Sequence, residues 1–504
     1  MPSAANILSN RSGVGHWFYR QLVTKRLMNP LGFLLLASIA VGVAYMSAFV
    51  SYKSPFAIVA VLIGIVCAVA CALYPYFGFY FCIIFSTLIF TPERLVGVML
   101  PLGIAVEVFT YFTLLGVLTQ NYAKKEIGRE YWKHPITIMM IIFVGYYLLE
   151  SVNPSPHSMV GWFNYFRKYL SFFAFYFISY CLLNTKERIT TFLKFWIYFP
   201  VVLAAYACKQ QWLGYSNWEM NWIMADSNRF ELLWQQGLLR KFSILPDPAA
   251  SGVLFAAIVI FTLILAIKTS NKKWKYWLYA LAFIDFLGFS YSGTRTGNLM
   301  ILAGILFYSI ATIYDKRTVR FLIVTVVAVI LILNAPFQNP VLYRIQSTFQ
   351  GSNDPSAAFR NMNRKSIQPY IHQHPIGGGI STCGVEGQLY TPWHILASVS
   401  PDSGYMKIAM EQGWIGLALA LIFYYLVLRT GIKHFYRCRA PEIRMWYIAV
   451  TTTLLTLMVG QFSQIVIGQY PTILFYYPAI VILIKLNKYE RTNKSADLEA
   501  DQFA

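Results

Sequence analysis

Three short polar segments, each at the start of an apolar run, carry the residue types that could do chemistry. They are Leu245-Pro246-Asp247-Pro248, Ser292-Gly293-Thr294-Arg295-Thr296-Gly297 and Pro401-Asp402-Ser403-Gly404. If the runs are helices, each segment lies at a helix N-terminus, where free N–H groups and the positive end of the dipole attract anions. Together these segments would form a binding site for a phosphate-bearing ligand.

Arginines reinforce this interpretation. Arg295 lies in a tight turn between two apolar runs, where a guanidinium is costly unless it meets an anion or water. Arginine suits a diphosphate because its planar fork gives two parallel hydrogen bonds and does not deprotonate. We expect Arg295 and Arg360 to contact the anion. Arg240 and Lys241 could bind it too, although a lipid headgroup would explain Arg240 equally well.

The aspartates allow two interpretations. Asp247 and Asp402 could be helix N-caps, since Asp is a favourable capping residue, and at Asp247 the following Pro248 strengthens this interpretation. Asp402 could instead accept a proton from a hydroxyl, because an ordinary carboxylate is ionised at neutral pH. His374 is expected to form a hydrogen bond within its own loop. If Asp402 is not the base, the alternatives are His374, His372 and His394. Arg364 and Ser403 are further candidate substrate-binding residues.

No Asp-x-Asp motif or cluster of carboxylates stands out in the outward segments. We therefore predict that no divalent metal and no cofactor is required. The cysteines form no Cys-x-x-Cys pair and are expected to be small core residues. Glu411 is expected to form a hydrogen bond to a neighbouring helix, and the Gly377-Gly378-Gly379 run is expected to form a loop turn.

Composition identifies the elements that must position these residues. Of 504 residues, 57% are hydrophobic and 12% are charged, and Lys plus Arg outnumber Asp plus Glu by 41 to 21. The cations lie in short clusters between long apolar runs, a pattern typical of a polytopic membrane protein. This excludes a soluble enzyme and a secreted disulfide scaffold, and the partner is membrane lipid rather than nucleic acid.

The apolar runs predict an all-α protein of about fourteen transmembrane helices in one integral membrane domain, 1–504. Cationic connections alternate along the chain, so the positive-inside rule places both termini in the cytoplasm. Expected centres are Ala40, Gly64, Cys82, Ile104, Ile142, Phe173, Val202, Ile258, Ala282, Leu302, Val326, Leu417, Leu457 and Val481.

Two outward connections are long. The segment 214–246 mixes tryptophan and phenylalanine with charge, which suits an interfacial loop at the headgroup layer. The segment 337–403 is polar and cationic, against the charge rule, and loops of this length are usually functional or disordered. It is predicted to be a large outer (periplasmic) loop, and 487–504 to be a cytoplasmic tail.

These motifs resemble the O-antigen ligase and Wzy-type polymerase superfamily of bacterial envelopes. Ser292 to Gly297 is similar to the Ser-Arg turn of that family. Arg360 followed by His374-Pro375-Ile376-Gly377-Gly378-Gly379 is similar to its Arg…His-Pro-x-Gly-x-Gly stretch. Asp402-Ser403-Gly404-Tyr405-Met406 and Glu411-Gln412-Gly413-Trp414-Ile415-Gly416-Leu417 are similar to its last signature, and the resemblance covers roughly residues 235–430.

The resemblance implies a multi-pass enzyme of the bacterial inner membrane that uses an undecaprenyl-diphosphate-linked glycan as donor. Arg295 and Arg360 would grip the diphosphate, and the acceptor would be a glycan or a lipid core. The catalytic histidine of the family falls on position 402, where this chain has Asp. That difference weakens the case for a strict ligase and leaves room for a polymerase.

The alternative is a lipid-linked glycan flippase or another secondary transporter. Transporters usually show internal repeats and ionisable residues near the midplane of the membrane. This chain shows no internal repeat and few such residues, and it has a large outer loop instead. A passive membrane scaffold would leave the outward arginines unexplained.

Overall fold

The structure is a computed structural model that describes residues 54–96, 102–235, 237–334, 344–346 and 355–502, with isolated positions between 30 and 42. Of the residues that the structure describes, 81% are helical. The first helices are α1 Ser54–Leu73, α2 Pro75–Leu88, α3 Phe90–Val96, α4 Leu102–Thr119, α5 Tyr122–Glu126, α6 Arg129–Lys133, α7 Pro135–Leu149, α8 Met159–Leu182, α9 Lys186–Trp212, α10 Asn217–Met224 and α11 Ser227–Leu233.

A two-residue hairpin follows, formed by β1 Trp234–Gln235 and β2 Leu238–Leu239. The later helices are α12 Pro248–Lys268, α13 Lys272–Ser292, α14 Arg295–Ala311, α15 Lys316–Leu333, α16 Pro355–Gln373, α17 Gly384–Tyr390, α18 Gly404–Arg437, α19 Pro441–Gly460 and α20 Thr472–Gln502. Short 3-10 helices occupy Glu150–Val152 and Ile395–Ser398.

Seven helices in the described part of the chain are long and apolar enough to cross a membrane. They confirm the prediction of an all-α membrane protein. Every predicted centre from Gly64 onward lies within a helix, whereas the span predicted near Ala40 lies largely outside the described residues. The count of about fourteen spans stays a prediction. The seven are Pro75–Leu95, Leu102–Thr119, Pro135–Val152, Lys186–Trp212, Pro248–Lys268, Gly404–Arg437 and Pro441–Gly460.

The chain divides into two compact units. The first contains residues up to Cys82 together with Ile104–Tyr122, and the second contains the rest. Within the first unit, Gly78 lies against Thr113, and the rings of Phe81 and Phe109 are 5.1 Å apart. All candidate site residues belong to the second unit.

Helix α12 forms the core of the second unit. It packs against α13, α14 and α19, and nearly all of its residues are buried. A helix that is apolar on every side must be surrounded by other elements. Its start is fixed by Asp247, whose Oδ1 accepts a hydrogen bond from the Ala250 N–H at 2.8 Å, with Pro248 at the first helical position. Asp247 is therefore the N-cap of α12, the central helix of this unit.

The predicted interfacial loop is a folded substructure that contains α10, α11 and the hairpin. Ile223, Leu233 and Phe242 form its small core. Arg94 of α3 stacks on the Phe242 ring at 4.3 Å and donates a hydrogen bond to the carbonyl of Pro246 at 3.0 Å. These contacts hold the segment that precedes Asp247 in place.

Candidate functional site

The turn between α13 and α14 is hydrogen-bonded to the start of α12. Gly293 ends α13 in the left-handed conformation, with φ 60°. Arg240 donates from Nε to the carbonyl of Ser292 at 3.0 Å and from its guanidinium to Thr294 Oγ1 at 3.3 Å. Thr294 Oγ1 in turn donates to the carbonyl of Pro248 at 2.7 Å. The N-termini of α12 and α14 are thus linked through one hydroxyl and one guanidinium.

Arg344 of the large outer loop approaches the same turn. Its guanidinium donates to Gln235 and lies so close to Gly293 that a Cβ there would collide with it. Burial, with the charges of Arg240 and Arg295, lowers the pKa of Arg344 to about 10. We call Arg240, Arg295 and Arg344 the arginine cluster.

The charges of the arginine cluster act on one another. Burial lowers the pKa of Arg240, Asp247 partly opposes this effect, and Arg295 adds to it. Arg295 itself is half-buried and is the first residue of α14. The three guanidinium groups therefore lie near one another and near the carboxylate of Asp247. Such a concentration of positive charge favours the binding of an anion.

Lys241 is placed differently from Arg240. Its backbone N–H bonds to the carbonyl of Tyr291 at 3.1 Å, and its ammonium lies 4.5 Å from the Tyr215 ring centroid. Burial lowers the Lys241 pKa to about 8, which Glu219 partly opposes. The side chain therefore packs inside the 214–246 loop.

Asp402 lines a cavity of about 260 Å³ together with Asp247, Ser463 and Tyr470. We call it the aspartate cavity. The Oδ2 atom of Asp402 is buried and has no hydrogen-bond partner among the residues that the structure describes. Capping is the wrong interpretation for Asp402, because Ser403 is the N-cap of α18. Asp402 thus contributes a carboxylate to the wall of the aspartate cavity.

Residues 461–471, which we call the junction loop, contact several of the predicted site residues. Ser403 Oγ donates to the carbonyl of Gln461 at 3.0 Å, and Ser463 Oγ lies 2.9 Å from Thr296 Oγ1. Arg364 donates to the carbonyl of Phe462 at 3.1 Å and lies over its ring. The starts of α14 and α18, and helix α16, therefore meet at one loop.

Arg360 belongs to α16, one helical turn before Arg364. Its side chain lies outside the described residues. Its contact with the anion therefore stays a prediction.

The glycine run packs on a break in α18. Gly413 interrupts the helix with φ 63° and ψ −161°. The N–H groups of Gly378 and Gly379 bond to the carbonyls of Met410 and Glu411 at 2.8 and 2.9 Å. The N–H of Trp414 bonds back to Pro375 at 2.7 Å. Gly377 and Gly413 are needed because the two backbones approach each other there without room for a Cβ.

Glu411 forms a hydrogen bond to the start of a neighbouring helix, as expected, because its partner Cys383 is the N-cap of α17. Its Oε1 accepts from the Cys383 Sγ–H at 3.1 Å and lies 4.0 Å from Lys407 Nζ. It therefore ties α18 to the outer loop. His374 stacks on the Tyr370 ring at 3.9 Å, and its Nδ1 lies 2.9 Å from the Tyr370 carbonyl oxygen.

Sequence reasoning missed three parts of the site: Arg344, Arg94 and the junction loop. The sequence could have indicated Arg344, because it is a cation in a loop that is predicted to face outward. Arg94 and the junction loop carried none, because their contacts join segments distant in sequence. No group of three or more His, Cys, Asp and Glu side chains that could hold a metal ion is found in the searched part of the chain.

The fold and the site define a polytopic all-α membrane protein with a cluster of arginines at the starts of its helices. Residues 280–421 match the family model Wzy_C, described as O-antigen ligase. The match supports assigning the chain to the O-antigen ligase and Wzy-type family, with a membrane glycan-transfer function of the ligase or polymerase type. No curated protein matches the chain.

Proposed function

We propose that the chain transfers a glycan from undecaprenyl diphosphate to an acceptor hydroxyl at the periplasmic face of the bacterial inner membrane. The observation that carries the proposal is the arginine cluster, which brings three buried or half-buried guanidiniums to the starts of α12 and α14. Such a cluster suits a diphosphate and has no evident purpose in a passive membrane scaffold.

In the proposed reaction the bond between the sugar C1 and the diphosphate oxygen breaks, and the electron pair leaves with the diphosphate. Arg240, Arg295 and Arg344 stabilise the charge that develops on this leaving group, and Arg360 is proposed to join them. Each well-placed donor typically contributes a few kcal/mol to such a step. Arg364 and Lys241 position the surrounding segments, since Arg364 holds the junction loop and Lys241 packs within the 214–246 loop.

The acceptor oxygen forms the new bond to C1, and its proton passes to the carboxylate of Asp402. The unpartnered Oδ2 in the aspartate cavity supports this assignment. General base catalysis of this kind is typically worth roughly 10²–10⁴ in rate. Ser403 holds the start of α18 to the junction loop, and His374 is the alternative base.

We further propose about fourteen spans with both termini in the cytoplasm, as the charge rule predicts. The helices found at the predicted centres from Gly64 onward support this topology. A reporter enzyme that is active only outside the cytoplasm should be active when fused after Ser398 and inactive when fused after Asn184. The reverse pattern would contradict it.

Purified protein in vesicles with a lipid-diphosphate glycan separates transfer from transport. Transfer predicts longer or relocated glycan with release of undecaprenyl diphosphate, and this activity should survive excess EDTA because no metal is proposed. A flippase would move unmodified glycan across the vesicle instead. Loss of activity in EDTA, restored by a divalent metal, would contradict the metal-free mechanism.

A further inference from the structure

A large cavity lies at the far end of α12 from the arginine cluster. Its volume is about 580 Å³, and it is formed where α12 ends and where α13 and α15 begin. Ligand sites in proteins typically have volumes of roughly 300–1,000 Å³. We call this cavity the basic cavity.

The length of α12 places the basic cavity at the other face of the membrane. Helix α12 has 21 residues. At roughly 1.5 Å per residue it is about 30 Å long, which is the thickness of the hydrocarbon core of a membrane. The cavity is therefore separate from the arginine cluster at the start of α12, and in the proposed topology it faces the cytoplasm.

The wall of the basic cavity carries four cations and no carboxylate from the part of the chain that the structure describes. They are Lys272 and Lys275 on α13 and Arg317 and Arg320 on α15. In each pair the two positions are three residues apart, so the two side chains lie on the same face of their helix. Like charges at such positions repel one another. An anion between α13 and α15 would therefore stabilise both pairs.

One carboxylate, that of Asp315, lies close to these cations. Its Oδ2 accepts a hydrogen bond from Lys268 Nζ at 2.7 Å, and its Oδ1 accepts one from the Arg317 N–H at 2.9 Å. Burial would raise the pKa of Asp315, but Lys268 and Arg317 outweigh it and the pKa is lowered. This one carboxylate thus serves Lys268 and the four cavity cations together, and a surplus of positive charge remains.

The basic cavity also has an apolar side that opens to lipid. Phe321 and Val324 line it one helical turn beyond the two arginines, and Val324 is 65% exposed. The neighbouring Ile323 is exposed too, and within α15 only Thr318 is buried. In a membrane protein an apolar helix face of this kind lies against acyl chains. Cations followed by an apolar face match the two parts of a phospholipid, its headgroup and its tail.

We propose that the basic cavity binds the phosphate of an anionic phospholipid, with an acyl chain along the exposed apolar face of α15. Arginine and lysine donate to phosphate oxygens, and basic pockets between helices at the cytoplasmic side of a membrane typically bind anionic headgroups. The bound lipid stabilises α15, of which the protein itself buries one residue. The site is independent of the proposed glycan transfer.

The test is equilibrium binding of phosphatidylglycerol and phosphatidylcholine to the full-length protein in neutral detergent, measured by native mass spectrometry. The wild-type protein should prefer phosphatidylglycerol. The variant Lys275→Gln/Arg320→Gln removes one cavity cation from each helix. It should bind phosphatidylglycerol roughly tenfold more weakly or worse, with unchanged binding of phosphatidylcholine.

The matched control is Lys273→Gln/Lys316→Gln, which removes one exposed cation from each of the same two helices outside the cavity lining. It should leave both affinities unchanged. Equal losses in the two double variants would overturn the proposal, because they would show only the general attraction of surface cations for anionic lipid.

A second measurement does not depend on a variant. Glycerol 3-phosphate carries the phosphate without acyl chains, so it should displace labelled phosphatidylglycerol from the wild-type protein roughly a hundredfold less well than the unlabelled lipid does. Equal displacement by glycerol 3-phosphate would make the cavity a site for a soluble phosphate and would overturn the proposal. Equal affinity of the wild-type protein for phosphatidylglycerol and phosphatidylcholine would also overturn it.

Discussion

At the scale of single residues, Arg344 is proposed to bind the donor at a cost in stability. It is half-buried beside two other guanidiniums, and burial together with their charges lowers its pKa. Like charges that repel one another in the folded protein are retained when function needs them. Under the proposed function, a bound diphosphate would relieve this repulsion.

Arg344→Gln should therefore lower transfer by roughly 10² while the unfolding temperature stays equal or rises, because one repelling charge is removed. Transfer rates and thermal unfolding of the two proteins check this. Lys316→Gln, at an exposed position of α15, is the control and should change neither quantity. Lower stability with normal transfer would show that Arg344 is structural.

The substitution Asp402→Asn tests the proposed general base, again at the scale of a single residue. The amide keeps the shape of the side chain but cannot take a proton, so we expect the turnover number to fall by roughly 10²–10⁴. Donor affinity, measured separately, should be unchanged. Near-normal turnover would return the role of base to His374, His372 or His394.

At the scale of elements, the glycine run and the break in α18 act as one unit. Gly377 has φ 77°, and a Cβ there would lie 2.5 Å from the backbone of Glu411. Gly377→Ala should therefore cost about 1–3 kcal/mol through backbone strain and reduce activity. The unfolding free energy checks this. Gly145→Ala, where a Cβ meets nothing within 4 Å, should be neutral or stabilising. Equal effects of the two changes would contradict the account.

The sequence predicted the helices well and the site less well. Hydropathy is local, so helices lie where the apolar runs predicted them, and the cap at Asp247 followed from Asp-Pro. The partners of Glu411 and Arg364 could not be predicted, because they are separated from those residues along the chain by 28 and 98 positions. Nothing in the pattern of Gln461 to Pro471 indicated that this short connection would join α14, α16 and α18.

At the scale of the whole molecule, the choice between polymerase and ligase depends on the acceptor. A deletion strain should show it through glycan length in the cell envelope. Glycans of a single repeat unit would indicate a polymerase, and long chains left on the carrier lipid would indicate a ligase. Envelope glycan identical to that of the parent strain would contradict a transfer function.

The central claim is that guanidiniums at the helix starts hold a diphosphate. Its most direct measurement is equilibrium binding of undecaprenyl diphosphate and undecaprenyl monophosphate to the purified protein and to Arg295→Lys. We expect the protein to prefer the diphosphate, and the variant to bind it at least tenfold more weakly because the planar fork is lost while the charge is kept. Equal affinity of the two proteins for the diphosphate, or no preference over the monophosphate, would contradict the claim.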